Sequence, residues 1–532
     1  NYMEYQTLTE LLIDVHKKYP HHIAYSSMGQ KLTYSKFFKQ ACHFKNFLKS
    51  ELKIGPQERI AIMLPNCLQH PIAVHGSLMA RLCVVNVNPL YTADELNHQL
   101  KDSQATTILV LENMAHIVEK ALHGTNVKHI IITKIGDMHG YIKGHLLNFV
   151  VKHVKKMVPN YHLTHIPFPS TLRAPIASPE SDILPNDLAF LQYTGGTTGL
   201  SKGAMLTHKN ICANIHQAKQ IVPSNLYQDE TTILTALPLY HIFALMVSFI
   251  TLTYGGKNLL IINAKDIKSL IHAFKSEPIH GFPVVNTLMV HLLQHPQFNS
   301  INFSHLRATI AGGMSTQTLI AKKWQETTGC VVNEGYGLSE TSPIISLSNN
   351  HNIFTGNVGQ AAPETEIRIT DENDTALQFD CPGEIQVKGP QVMQQYWNID
   401  PNSSEHPFTK DGWFKTGDIG SLSATGHLTI LDRLKDMIII GGFNVYPSEV
   451  ENVLIQHPKI SECGVVGAKD DEGQEIVKAF IVNPSHDLSE EEVMSFCHEH
   501  LAHYKAPKLI EFINELPKTA VGKVLRRKLK AA

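Results

Sequence analysis

Short apolar runs alternate with helical patterns along most of this chain: residues 107–111, 129–133, 231–237, 258–262 and 308–310 read as strands, and residues 266–275 and 316–328 as amphipathic helices. A strand that is apolar on both faces must be covered on both, and an intervening helix supplies the cover while returning the chain in parallel. The alternation predicts an α/β fold with largely parallel, doubly covered sheets. At 532 residues the chain exceeds what one core accommodates, so two or three domains are expected. Near Gly359 the pattern changes to shorter alternating strands, 366–370 and 383–388, bounded by Asp, Pro and Gly, which predicts a small β subdomain. The last hundred residues read as a separate α+β unit, with capping boxes at Ser448/Glu451 and Ser489/Glu492 and strands at 478–482 and 509–513.

A formal net charge of −2 without a basic block gives no electrostatic case for nucleic acid. The eight cysteines are scattered without a disulfide framework, as expected of free thiols in a reducing compartment, and the expected address is cytoplasmic. No charged n-region with an apolar h-region follows Asn1, and the longest apolar run, 242–252, is too short to span a bilayer and reads as a buried helix. No His or Cys pairing stands beside a carboxylate at zinc-site spacing, and no transition metal is expected. Residues 143–158, if helical, put His145, Asn148, Lys152, Lys155 and Lys156 on one face, and Leu146, Leu147, Val150, Val151, Val154 and Val158 on much of the other. Two readings stand for that segment: a surface helix docked on the core, and a basic amphipathic helix lying on the anionic inner face of a membrane.

Behind the apolar segment 188–191 comes the run Tyr193-Thr194-Gly195-Gly196-Thr197-Thr198-Gly199-Leu200-Ser201-Lys202-Gly203. Glycines let backbone N–H groups turn toward an anion without Cβ obstruction, threonine hydroxyls add donors, and Lys202 supplies positive charge. The run predicts a polyphosphate cradle, though not a Walker A loop, since no glycine is followed at the required offset by Gly-Lys-Ser/Thr.

Five more motifs follow in order: PLYH at 238–241, NEGYGLSETSP at 333–343, GWFKTGD at 412–418, LDRLKD at 431–436 and PKTAVGK at 517–523. With the glycine-threonine run they form a set that resembles the signature of the adenylate-forming superfamily, the acyl-CoA synthetases, luciferases and peptide-synthetase adenylation domains. Within it the chain looks most like bacterial long-chain fatty acid CoA ligases. The resemblance implies a large N-terminal domain, residues 1–433, made of two doubly covered α/β subdomains and the small β subdomain at about 355–433. A mobile α+β C-terminal domain, residues 434–532, would follow. It also implies ATP, CoA and a fatty acid as substrates, Mg²⁺ as cofactor, and an acyl adenylate on the way to acyl-CoA, AMP and pyrophosphate; a homodimer stays open.

Residue roles follow from the same resemblance. Thr194, Gly195, Gly196, Thr197, Thr198, Gly199 and Lys202 would hold the β and γ phosphates, and Glu340 with Thr194 would hold the metal. Thr341 would meet the α-phosphate, and Tyr336 would stack on adenine against Gly312-Gly313, with Glu334, Gly335, Gly337 and Ser339 completing the nucleotide pocket. Asp418 would accept the ribose hydroxyls, Arg433 would reach ribose or phosphate, and Lys435 would be the pivot of the small domain. Lys523 would bridge the substrate carboxylate and the α-phosphate; with Glu340, Lys202 and His241 it makes up the expected catalytic set. Gly441, Gly442 and Phe443 would line the path of CoA, and Tyr240, His241, Phe243 and Val285 the acyl site. The chain has Ile439 where some relatives carry a basic residue, and Ala244-Leu245 where certain long-chain ligases place a tryptophan gate.

Rival readings are a fatty acyl-AMP ligase that delivers to a carrier protein, a CoA ligase for medium-chain or other carboxylates, and a non-catalytic lipid-binding scaffold. No insertion typical of the first is evident, and the presence of Lys202, Glu340, Asp418, Arg433 and Lys523 together counts against the last.

Overall fold

The computed structural model describes residues 3–176, 182–194, 201–519 and 521–532. They fall into two compact units, one formed by Asn1–Pro283, Gly337–Ile344 and Pro390–His406, the other by Val284–Tyr336, Ile345–Gly389 and Pro407–Ala532.

In the first unit a seven-stranded sheet runs in the order Ile166–Pro167, His129–Thr133, Thr107–Leu111, Arg59–Met63, Cys83–Asn86, Leu188–Tyr193, Gly203–Thr207. Every neighbouring pair is parallel except the last, an antiparallel hairpin. Apart from half-buried Arg59 at the start of one, the central strands are buried throughout, as their apolar runs require. The same unit pairs Ile23–Ser27 with Lys257–Leu260, and that strand with Thr232–Thr235, again in parallel. The apolar run expected as a buried helix is Ile242–Thr253, with Phe249, Leu252 and most of its other side chains out of water. Predicted strands and helices recur within about three residues at each end, the strand expected at 478–482 already starting at Glu475, because local turns rather than apolar pattern set the boundary.

In the second unit Ala308–Ala311 lies parallel to Val332–Gly337, with Ala311 opposite Glu334. The expected β subdomain is a four-stranded antiparallel sheet of Glu366–Thr370, Gly383–Lys388, Phe414–Leu422 and Leu428–Arg433. Beyond it, Glu462–Lys469, Glu475–Val482 and Leu509–Phe512 form a three-stranded sheet. Its residues Val465, Val477 and Ile481 share a core with Val450 and Leu454 of helix Pro447–Leu454 and with Val493 and Cys497 of helix Glu490–His500.

Ser489 and Glu492 make the expected reciprocal cap. Ser448 and Glu451 do not: the first helix starts after Tyr446 with Pro447 in its first turn and no side-chain cap. The Glu451 carboxylate is taken instead by Arg526 at 2.9 Å and by the Val465 N–H at 3.0 Å, because a guanidinium largely withdrawn from water needs more than one acceptor. Arg526 also meets Asp432 at 2.6 Å and Asp436 at 3.3 Å.

The segment 143–158 also differs from its pattern. Tyr141–Phe149 is α-helical and Val150–Val154 continues as a π-turn, but Asn148 faces inward while Leu146 and Phe149 face water. No helix among the described residues is long and apolar enough to cross a membrane. All eight cysteines are free thiols, seven of them buried.

Candidate active site

The strands on either side of the glycine-threonine run, Leu188–Tyr193 and Gly203–Thr207, pair antiparallel, with Tyr193 opposite Gly203 and the Thr194 N–H donating to the Lys202 carbonyl at 3.0 Å. Thr194 thus leaves the C-terminal end of a strand that is parallel to Cys83–Asn86, the end at which open α/β sheets gather ligands. Gly195, Gly196, Thr197, Thr198 and Gly199 lie outside the described residues. Lys202 stands with its Nζ 5.3 Å from the centre of the Tyr396 ring and 3.8 Å from Glu405.

Tyr396 was not anticipated from the sequence. The segment around it adds to the hairpin edge: the Met205 N–H donates to Gln395 and the Trp397 N–H to Gly203. So placed, Tyr396 donates its hydroxyl hydrogen bond to Glu340 Oε1 at 2.7 Å. One ring therefore lies against the expected phosphate-binding lysine and holds the expected metal-binding carboxylate. The only signal in the chain was an aromatic pair, Tyr396-Trp397, in a polar stretch.

Glu340 and Thr341 are buried in the short turn Ser339–Thr341. Thr341 ties the turn together: its hydroxyl accepts from the Leu338 N–H at 3.0 Å and donates to the Pro343 carbonyl at 2.7 Å. Gly337 is required there, since a Cβ would run into the Pro343 carbonyl. The Met393 N–H donates to the Glu340 carbonyl at 2.8 Å, which fixes the carboxylate's backbone. Among the described residues no three His, Cys, Asp or Glu side chains gather as a metal cage. A buried carboxylate fits Mg²⁺, which takes one or two protein oxygens and fills its other positions from phosphate and water.

Half-buried Tyr240 and His241 precede helix Ile242–Thr253, which His241 caps by accepting from the Phe243 N–H at 3.3 Å. A buried amide relay holds them: His70 meets Asn86 at 3.2 Å, Asn86 donates to Gln192 at 3.2 Å, and Gln192 donates to the Tyr240 carbonyl at 2.7 Å. Asn66 pins the preceding turn through the Leu237 carbonyl and the Leu239 N–H. Burial pushes the Tyr240 phenol up.

In the second unit Gly312-Gly313 follows strand Ala308–Ala311 and Gly335-Tyr336 follows Glu334, at the same end of two parallel strands. Gly313 has φ +78°, where a side chain would be strained. Glu334 is buried, accepts from the Thr316 N–H at 3.3 Å, and is pushed by burial up to about 8. Tyr336 donates to Asp418 Oδ2 at 2.6 Å, and Arg433 Nε approaches Asp418 Oδ1 at 3.3 Å. Asp418 and Arg433 are register partners in the antiparallel ladder, so the sheet itself sets their approach.

Lys523 belongs to the same group. Its loop is a tight turn in which the Thr519 N–H donates to the Lys523 carbonyl at 2.7 Å and the Lys523 N–H to Thr519 Oγ1 at 3.1 Å. Thr287 Oγ1 donates to the Gly522 carbonyl at 2.9 Å, seating the turn beside Val285, itself buried. Burial, with Arg433 adding to it, pushes the Lys523 ammonium down to about 8. Lys435 sits in the turn Leu434–Asp436 and is lowered by burial and then by Arg433. Gly441 and Gly442 form the two-residue turn of a hairpin at φ +55° and +84°, open to solvent, with Phe443 and Ile439 exposed beside it. That turn is presented outward rather than gathered with Tyr336, Asp418 and Lys523.

Comparison with known proteins agrees in kind. The chain matches the AMP-binding enzyme family over residues 13–397 and the AMP-binding enzyme C-terminal domain over residues 449–523. It belongs to the AMP-binding enzyme family, the adenylate-forming superfamily that its motifs resemble. It is 43% identical over 99% of its length to a long-chain-fatty-acid–CoA ligase of Escherichia coli O157:H7, covering 94% of that protein. It is 35% identical over 98% of its length to one of Bacillus subtilis, again covering 94%. Among solved structures, ATP-bound MatB from Rhodopseudomonas palustris superposes with a TM-score of 0.82 at 25% identity over 98% of both chains.

Proposed function

We propose that this protein is an ATP-dependent long-chain fatty acid CoA ligase. The observation that carries the reading is the identity of 43% over 99% of the chain to a ligase of that name, together with the Tyr336–Asp418–Arg433 cluster beside the Lys523 turn.

In the first half-reaction a carboxylate oxygen of the fatty acid attacks the α-phosphate, the new P–O bond forms, and pyrophosphate leaves with the electrons of the broken α–β bridge. Two anions must meet, so positive charge at the point of attack lowers the barrier. Lys523 supplies it when protonated, bridging the carboxylate and the α-phosphate. Lys202 and the loop from Thr194 offset charge on the departing phosphates. Asp418 and Arg433 hold the ribose, with Tyr336 against the adenine beside Gly312-Gly313 and with Glu334, Gly335, Gly337, Ser339 and Thr341 lining the pocket. Glu340 and Thr194 would hold Mg²⁺, which when bound supplies charge neutralisation on the phosphates. Tyr240, His241, Phe243 and Val285 line the acyl site.

In the second half-reaction the CoA thiolate attacks the acyl carbon and AMP leaves. A division at about residue 433, with Lys435 as pivot, would exchange the Lys523 turn for the outward Gly441-Gly442 turn with Phe443. The open, positive-φ turn supports this, because pantetheine can pass close to backbone that carries no Cβ. A cytoplasmic location with peripheral contact to the inner face of a membrane belongs to the same reading, as does a homodimer.

The test is palmitate-dependent exchange of pyrophosphate into ATP without CoA. Exchange that requires palmitate supports the reading; its absence with active, folded protein overturns it.

A further inference from the structure

Helix Tyr141–Phe149 is seated by its polar side. A Cβ on Gly144 would run into the Gly136 carbonyl, so the two backbones touch, and Asn148 Oδ1 accepts from the Gly136 N–H at 2.7 Å. The apolar side chains point the other way: Tyr141 is 83% exposed, Ile142 82%, Leu146 62% and Phe149 57%. Ile142, Leu146 and Phe149 stand at helical spacing and form one stripe. A surface helix ordinarily turns such a stripe to the core. Here glycine and an amide hold the helix so that the stripe faces water, and Val154 and Met157 further along the chain are exposed as well.

The charge beside it has one sign. No Asp or Glu occurs between Asp137 and Glu180, while Lys143, Lys152, Lys155, Lys156 and Arg173 do. Lys152 meets Glu112 at 3.4 Å, and Lys143 donates to the Met28 carbonyl at 3.1 Å, bringing exposed Met28 alongside. Exposed Lys155 and Lys156 have no acidic partner among the described residues.

We propose that this face seats on anionic lipid, with Ile142, Leu146 and Phe149 entering the acyl-chain boundary and Lys155 and Lys156 meeting the headgroup phosphates. An apolar stripe next to acid-free basic sequence is complementary to a bilayer surface of negative charge, which needs no matched set of polar partners. The inference rests on the peripheral contact proposed above and names the surface that makes it.

The experiment is sedimentation of the full chain with extruded vesicles of phosphatidylglycerol and phosphatidylcholine, or of phosphatidylcholine alone. The wild type is expected to bind the anionic vesicles, more weakly as salt rises. Replacing both Lys155→Ala and Lys156→Ala should weaken that binding by roughly fivefold per lysine. The combined I142S, L146S and F149S variant should lose binding by about a hundredfold, since three exposed apolar groups are removed. Acyl-CoA formation from octanoate, with no vesicles present, should be unchanged in both variants and shows that they fold. Wild-type protein that does not sediment with anionic vesicles, or serine variants that bind as the wild type does, would overturn the proposal. So would a concentration-dependent dimer abolished by the serine variant in the absence of vesicle binding. Failure to make acyl-CoA at all would count against the ligase reading and leave the vesicle result standing.

Discussion

Tyr336 donates a hydrogen bond to Asp418 Oδ2 at 2.6 Å while Arg433 Nε lies 3.3 Å from the other oxygen of the same carboxylate. The two oxygens of one buried Asp are thus divided between a phenol and a guanidinium. If a nucleotide ribose enters here, as the proposed function has it, it would meet a carboxylate whose position is already fixed, and little ordering would remain to be done on binding.

Breaking that arrangement should be felt in nucleotide affinity. Tyr336→Phe leaves an oxygen of Asp418 with one fewer donor and should cost about 1–2 kcal/mol of stability. Asp418→Asn additionally removes the charge facing Arg433, and the apparent ATP affinity should fall by about tenfold or more. Calorimetric titration with AMP and thermal unfolding check both; an Asp418→Asn protein with unchanged AMP affinity would refute the ribose assignment.

The depressed Lys523 value gives a pH dependence with a definite sign. The turn's ammonium is charged below about 8 in the folded free enzyme, against 10.5 for an ordinary lysine. Adenylation that needs this charge should therefore lose kcat/KM as pH rises through about 8. Stability moves the opposite way. Burying the charged form costs stability below pH 8, and the cost is relieved as pH rises toward the unfolded value. Lys523→Met should lack both the alkaline loss of exchange activity and the alkaline gain in thermal midpoint. It should still form thioester from supplied acyl-AMP.

Gly522 has φ +86°, and a Cβ there would run into Thr287 Oγ1. Gly522→Ala combines backbone strain of about 1–2 kcal/mol with loss of the seat that Thr287 provides. Pyrophosphate exchange should drop by about tenfold or more, with thioester formation from supplied acyl-AMP spared. Equal losses in both half-reactions, measured on one preparation, would mean that the turn only supports the fold.

Glu340→Gln removes an anionic oxygen and should raise the Mg²⁺ concentration needed for half-maximal exchange by about tenfold, at a cost of several kcal/mol in the transition state. Tyr396→Phe, which removes only the hydrogen bond to Glu340, should shift the same titration in the same direction by less. A Glu340→Gln enzyme with normal Mg²⁺ dependence contradicts the assignment.

Much of this architecture was legible in the chain because it rests on local pattern. Thr107–Leu111 and Glu366–Thr370 are strands whose apolar spacing alone defines them. The Asp418–Arg433 pair was suggested by motif order, and ladder register explains it. What stayed hidden depends on partners far along the chain. Glu451 was read as a cap because Ser448 stands three residues before it, but Arg526, 75 residues away, outcompetes a local N–H. Tyr396 carries no pattern of its own and acquires its place only when residues 395–397 pair with the edge of Gly203–Thr207. The pattern of residues 143–158 left two readings open, and that Leu146 and Phe149 face water depends on Gly144, which permits a backbone approach that no hydrophobicity pattern records.

The central claim is tested most directly by one assay on the wild-type protein. ATP and Mg²⁺ are supplied with palmitate or octanoate, in the presence and absence of CoA, and AMP, pyrophosphate and acyl-CoA are quantified together. The account predicts palmitoyl-CoA and AMP in equal amounts with CoA, pyrophosphate exchange alone without it, and a higher kcat/KM for palmitate than for octanoate. Acyl-AMP that accumulates without passing to CoA, or a preference for octanoate, would contradict it.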